Sequence, residues 1–269
     1  MKSNSRQPTI FLSHGGGPWP FVDIPFIPPG ALAPLERYLR SMVTALPSKP
    51  KAALVVSAHW EEPVATLMTN PTPPMLYDYT GYEQKAYELQ WPAPGATFLV
   101  DRVTSLLRHA GFRTATNSTR GFDHGTFIPL MVALPAAELP ILQVSLLDTL
   151  DPTEHLALGR ALAPLRDENV LLIGSGNSYH NMPGFGHPES TEPSRQFDVW
   201  LANAMMQAPA ERERQLIQWE HAPSARHCHP REEHLLPLHV MAGAGLADAV
   251  TFPLRMEALH VHASGIQFG

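Results

Sequence analysis

Short apolar runs punctuate this chain, and stretches with apolar residues at helical spacing lie between them. Thr9–Ser13 (TIFLS), Ala52–Ser57 (AALVVS), Ile141–Leu146 and Val170–Ile173 have strand length and little polar face, as expected of strands buried on both sides of a sheet. Val64–Met68 and Thr114–Asn117 read as shorter strands, and Ala249–Phe252 and Leu259–Ala263 close the chain as two more. Ala31–Leu46 carries Leu32, Leu35, Leu39, Met42, Val43 and Leu46 at helical spacing, which predicts an amphipathic helix. Further helices are predicted at Ala96–Ala110, at Phe127–Leu134 with Pro129 in its first turn, and from a cap at Asp151 or Thr153 to about Leu165. Arg195–Met206, Glu211–Trp219 and Glu232–Ala244 follow, with Pro237 either kinking the last or marking its true start.

Alternation of strand and helix over the whole length predicts an α/β fold: a central, mostly parallel or mixed sheet flanked by helices. No repeat, charge block or linker divides it, so residues 1–269 are expected to form a single catalytic domain. The Pro/Tyr-rich Asn70–Tyr82 and the polar Gly184–Ser194 are expected as loops.

Charge narrows the function. A net charge of -6 with no long basic run lacks the phosphate-neutralising footprint of a nucleic-acid binder. The single cysteine, Cys228, offers neither an intrachain disulfide nor a thiolate cluster. The polar Met1–Pro8 leads into an apolar run too brief for a signal peptide, and no run is long enough to span a membrane. A cytoplasmic setting is the expectation.

Histidine placement carries the chemistry. In open α/β sheets ligands bind beyond the carboxyl ends of the strands. Three strand patterns here run into a histidine: His14 directly, His59 after Ala58, and His180 after the loop Gly174-Ser175-Gly176-Asn177-Ser178-Tyr179. One histidine at a strand end is ordinarily a hydrogen-bonded structural residue. Three of them on parallel strands reach one edge and form a constellation. His124 lies in its own turn, Gly121-Phe122-Asp123-His124-Gly125, and His234 lies in a Pro/Glu-rich helix opening, Pro230 to Pro237, with leucines beside it. His221, His227, Cys228 and His229 are expected in a solvated loop, with His229 near the site. His260 and His262 share one strand face, and His109, His155, His187 and His239 carry no supporting context. His14-Gly15-Gly16-Gly17 is similar to the oxyanion loop of lipases, but the Gly-x-Ser-x-Gly elbow that such an enzyme needs is absent, and Gly174-Ser175-Gly176 has the wrong spacing.

Five segments in order, Ser13-His14-Gly15-Gly16-Gly17-Pro18, Ser57-Ala58-His59-Trp60, Asp123-His124-Gly125, Gly174-Ser175-Gly176-Asn177 with His180-Asn181, and Glu233-His234-Leu235-Leu236-Pro237-Leu238, resemble the class III extradiol ring-cleavage dioxygenases. The subgroup they are most similar to is the 4,5-DOPA dioxygenase-like proteins. The resemblance implies a non-haem Fe(II) site, often found with zinc, a catechol (DOPA-like) substrate and O2. It implies His14, His59 and His234 as metal ligands, His180 as acid/base, and His124 as the residue assisting oxygen and substrate. Many class III members use a glutamate as third ligand, and Glu233 stands next to His234, so a swap stays open.

The chemistry asks for such groups. A facial triad leaves positions for two catechol oxygens and dioxygen, and imidazole suits a base that works near neutral pH. Trp19, Trp60 and Tyr179 are candidate walls for an aromatic ring, with ordinary packing as the alternative. A zinc hydrolase, with His180 as proton shuttle, and a non-catalytic metal-binding protein remain the competing functions.

Overall fold

The computed structural model describes residues 6–269, so the first five residues of the polar opening lie outside the described residues. In chain order the elements are β1 (Thr9–Ser13), α1 (Ala33–Met42), β2 (Ala52–Glu62), β3 (Ala65–Met68), α2 (Val100–His109), β4 (Thr114–Asn117), α3 (His124–Ala133), β5 (Ile141–Leu147), α4 (Pro152–Leu162), β6 (Val170–Gly176), α5 (Thr191–Met205), α6 (Pro209–Ile217), α7 (Ala225–Cys228), α8 (Leu236–Ala244), β7 (Val250–Ala258) and β8 (Val261–Phe268). The strands form one eight-stranded sheet in the order β4-β3-β5-β2-β6-β1-β8-β7. β5, β2, β6 and β1 run parallel at its centre, while β3 meets β5 antiparallel and β8 meets both β1 and β7 antiparallel.

The apolar runs are uninterrupted because both faces of the central strands are covered. Along β2, Leu54 and Val56 face a core completed by α2, α4, α5, α6 and α8. Ala53 and Val55 face a second core completed by α1 and α3. Period-two alternation thus feeds two helical layers from one strand. α8 is buried at every residue, which accounts for its lack of a polar stripe. No helix of the described residues is long and apolar enough to cross a membrane.

Several elements depart from expectation for identifiable reasons. β2 extends to Glu62 rather than ending at Ser57, because its register against β5 slips between Val56 and Glu61 and then resumes. Such a bulge breaks the apolar pattern without ending the strand. α3 begins at His124, ahead of the expected Phe127, because the Asp123 carboxylate accepts from the Thr126 amide and caps the helix. Pro129 therefore lies inside α3 and not in its first turn. Its missing N–H leaves the Gly125 carbonyl without a helical partner, and the Ser175 hydroxyl donates to that carbonyl instead. Pro237 marks the true start of the last helix, which opens at Leu236 rather than Glu232. The expected loop Gly184–Ser194 already contains the first turn of α5, and the closing strands are longer than read, forming a tight hairpin.

Candidate metal centre

β1 and β2 both pair with β6, so their carboxyl ends finish level: Ser13 lies opposite Gly176 and Ser57 opposite Ser175. His14 follows β1 directly, and its amide donates to the Gly176 carbonyl at 3.1 Å. His59 sits within the bulged part of β2, where the irregular register turns its ring toward His14. His234 precedes α8 and is brought in by backbone, since the Asn177 amide donates to the His234 carbonyl at 3.0 Å. That approach requires Gly176, because a Cβ there would collide with the His234 carbonyl oxygen. One ring nitrogen from each of His14, His59 and His234 lies within 4.8 Å of the others. The Nε2 atoms of His14 and His59 are 3.3 Å apart.

Two carboxylates flank this triad, and each serves two histidines. Glu233 Oε1 accepts from His234 Nδ1 at 2.8 Å and lies 3.3 Å from His180 Nδ1. Asp78 Oδ1 accepts from His124 Nδ1 at 2.8 Å, while its Oδ2 lies 3.5 Å from His59 Nδ1. Each carboxylate thus holds one triad histidine and one histidine beside it, on the Nδ1 side, leaving the Nε2 atoms facing inward. His180 stacks on His234 with ring centroids 3.3 Å apart, and His124 packs on His59 at 4.0 Å.

Burial sets the charge state. It lowers His14 and His234 well below the ordinary imidazole value, and the neighbouring imidazoles lower them further. His59 is lowered to about 4, by burial first and by His124 second, against the opposing pull of Asp123 and Asp78. Burial alone would raise Glu233, but the hydrogen bonds from His180 and His234 hold it well below the carboxylate range. Asp78 is likewise lowered, its desolvation outweighed by His124. The result is three neutral imidazoles, with one ionised carboxylate behind His59 and another behind His234.

The donor set fits a transition metal. His234 Nε2 is buried without a hydrogen-bond partner, and the lone pairs of neutral imidazoles suit zinc, iron and copper alike. A carboxylate on the far nitrogen of a ligating histidine fixes its tautomer and strengthens it as a ligand. Glu233 occupies that outer position behind His234.

All five histidines expected at the site therefore meet there. Asp78 and the bridging role of Glu233 were missed. Asp78 comes from the expected loop Asn70–Tyr82, which is tied to Phe122 by paired backbone hydrogen bonds with Pro74 and Leu76. No local pattern marks it, since its partner His124 is 46 residues away. The 221–229 segment corrects another expectation. His221 and His227 are exposed, but Cys228 and His229 are fully buried rather than solvated. That segment props the His180 loop: the Cys228 carbonyl accepts from the His180 amide at 2.9 Å, and His229 Nε2 bonds to the Ser178 carbonyl at 3.0 Å. Among the three candidate aromatic walls, Tyr179 borders the cavity at the site, whereas Trp60 stacks under Arg120. The cavity itself measures about 280 Å³ and opens over the five histidines.

The chain is similar to known proteins over most of its length. The profile of the family described as the catalytic LigB subunit of aromatic ring-opening dioxygenase matches residues 11–265. A protein of Portulaca grandiflora named 4,5-DOPA dioxygenase extradiol is 38% identical over 247 residues, 91% of this chain and 88% of its own. A protein of the same name from Beta vulgaris is 37% identical over 243 residues, 88% of this chain and 86% of its own. The crystal structure of an uncharacterised Escherichia coli K12 protein superposes with a TM-score of 0.76 at 28% identity, covering 98% of this chain and 100% of that one.

Proposed function

Because this chain belongs to the family of catalytic LigB subunits of aromatic ring-opening dioxygenases, and is an extradiol ring-cleavage enzyme of the DOPA dioxygenase type, we propose that His14, His59 and His234 hold an iron(II) ion at which a catechol is opened by O2. The observation that carries this reading is the buried, unpartnered Nε2 of His234, turned toward His14 and His59 while Glu233 holds its other nitrogen. When bound, iron would supply a template for both reactants and a redox path from the ring to dioxygen. Zinc suits the same imidazoles but has no redox chemistry, so zinc-loaded protein would bind catechols without consuming oxygen.

The chain's own residues do the proton work. His180 is anchored through Nδ1 by Glu233, which leaves Nε2 to take a catechol hydroxyl proton and later return it. Glu233 stays ionised and stabilises the imidazolium that forms. His124, held by Asp78 at the first residue of α3, would stabilise the negative charge that develops as oxygen is reduced by donating a proton from Nε2 while Nδ1 donates to the Asp78 carboxylate. The relatives' names make a DOPA-like ring the first substrate to try.

The test is anaerobic reconstitution with Fe(II), then addition of catechols and air in an oxygen electrode, with absorbance followed for a ring-opened semialdehyde. Oxygen uptake matched by product absorbance is expected. Iron-loaded protein that opens no catechol, or zinc-loaded protein that consumes oxygen at the same rate, would overturn the reading.

A further inference from the structure

His14 is the member of the triad that has no carboxylate behind it among the described residues. Its Nδ1 is buried without a hydrogen-bond partner, and its Nε2 lies 3.3 Å from the side-chain nitrogen of Asn177. The sheet register brings that amide there. Ser13 pairs with Gly176 across β1 and β6, so Ser13 and Asn177, the residue after β6, stand side by side. The Ser13 hydroxyl donates to Asn177 Oδ1, which leaves Nδ2 as the end turned to His14. Both residues are buried, yet both border the cavity over the histidines.

His14 Nε2 is the only partner of Asn177 Nδ2 among the described residues. An imidazole nitrogen that gives its lone pair to a metal accepts no hydrogen bond. The amide would then be a buried donor without an acceptor, which is unfavourable unless an oxygen comes beside His14. The loop that carries Asn177 also carries His180, and His180 stacks on His234 while His124 packs on His59. Asn177 therefore stands with the residue that takes the catechol proton, and not with the one assigned to oxygen.

We propose that Asn177 is a further catalytic residue, whose side-chain amide, oriented by Ser13, donates a hydrogen bond to a catechol oxygen as that oxygen becomes an anion. The inference rests on the catechol reading above and deepens it. As the O–H bond breaks, the proton goes to His180 Nε2 and the electron pair stays on the oxygen that Asn177 holds. A carboxamide suits this place, because it stabilises developing negative charge without itself giving up or taking a proton.

Nitrocatechol tests this without turnover, since its visible band moves with ionisation and reports both affinity and protonation state. Zinc-loaded wild-type protein is expected to bind it in ionised form. Asn177→Ala is expected to keep its zinc, to bind nitrocatechol about 10–100-fold more weakly, and to need a higher pH for the bound ligand to ionise. In the iron-loaded form its kcat should fall about 10²-fold. Asn177→Asp keeps an oxygen for the Ser13 hydroxyl but removes the donor, so it should bind no better than Asn177→Ala. A residue that merely ties β1 to the His180 loop would be rescued by the aspartate. Ser13→Ala, which leaves the donor but frees its orientation, should weaken binding by about 2–10-fold. Unchanged affinity and ionisation in Asn177→Ala, loss of its zinc, or full rescue by Asn177→Asp overturns the inference. Should Asn177→Ala not fold, unchanged binding in Ser13→Ala overturns it instead. Wild-type zinc protein that ignores nitrocatechol removes the catechol reading and this inference together, whereas wild-type binding that Asn177→Ala leaves untouched removes the inference alone.

Discussion

His155 and His234 are almost equally hidden from solvent, at 0% and 3% exposure, yet their ring nitrogens meet opposite surroundings. His155, near the start of α4, donates from Nδ1 to the Asp151 carbonyl at 2.7 Å and accepts at Nε2 from the Leu147 amide at 3.1 Å. A single neutral tautomer fills both sites, and nothing is left for a ligand. His239 in α8 has backbone carbonyls at both nitrogens, those of Leu235 and Leu216, so as a neutral imidazole it donates to one of them. His234 has a carboxylate on one nitrogen and no partner on the other. Burial therefore does not separate a packing histidine from a binding one. The chemistry of the partners does.

The sharpest way to break the comparison is to exchange losses between the two places. His14→Ala, His59→Ala and His234→Ala should each abolish stoichiometric metal and bring turnover to background, with circular dichroism unchanged, because a three-ligand site cannot spare one. His155→Ala should keep its metal and instead lose about 1–3 kcal/mol of stability, since the buried Leu147 amide is left unpaired. His229→Ala should also retain metal. Metal analysis beside denaturant unfolding reads both, and a ligand variant that binds metal as before would remove that residue from the site.

His180 tests the boundary between the two classes. His180→Ala should retain metal and lower kcat by about 10²–10⁴-fold. Loss of metal would move His180 among the ligands, and unchanged turnover would exclude it from proton transfer.

The outer carboxylates come next. Glu233→Gln and Asp78→Asn should weaken metal binding about 10–100-fold, measured by competition with a chelator, because each orients a ligating imidazole. A Glu233→Gln variant without metal would indicate that the glutamate itself ligates.

The last test concerns pH and touches only the packing histidines. Burial lowers His155 and His239 to about 4, so each stays neutral in the fold while the unfolded chain takes up protons below about 6.5. The unfolded state then binds more protons, and stability falls as pH drops from about 6.5 toward 4, by up to about 1.4 kcal/mol per pH unit for each histidine. Above that window the two contribute no slope. His155→Gln should flatten the curve of unfolding free energy against pH between those limits. An unaltered slope would show that His155 protonates freely in the native protein.

Much of this was legible from the chain alone. The apolar runs predicted the parallel strands at the sheet centre because a strand covered on both faces must be apolar at every position. Strands of that kind, ending in histidine, implied a shared edge, and the five short segments in order identified the histidines that meet there. Local pattern also offered Asp151 or Thr153 as the cap of α4, and Asp151 takes that place. Tertiary structure alone decided the rest. Asp78 reaches His124 only because backbone pairing ties its loop to Phe122, and no periodicity registers a contact across 46 residues. Glu233 was visible beside His234, but its outer position depends on which nitrogen it meets, and that follows from the Gly176–His234 backbone approach. The bulge that aims His59 is likewise a relation between β2 and β5. His155 and His234 look alike as letters because both are buried imidazoles, and only the neighbours folded around each ring determine which nitrogen remains free.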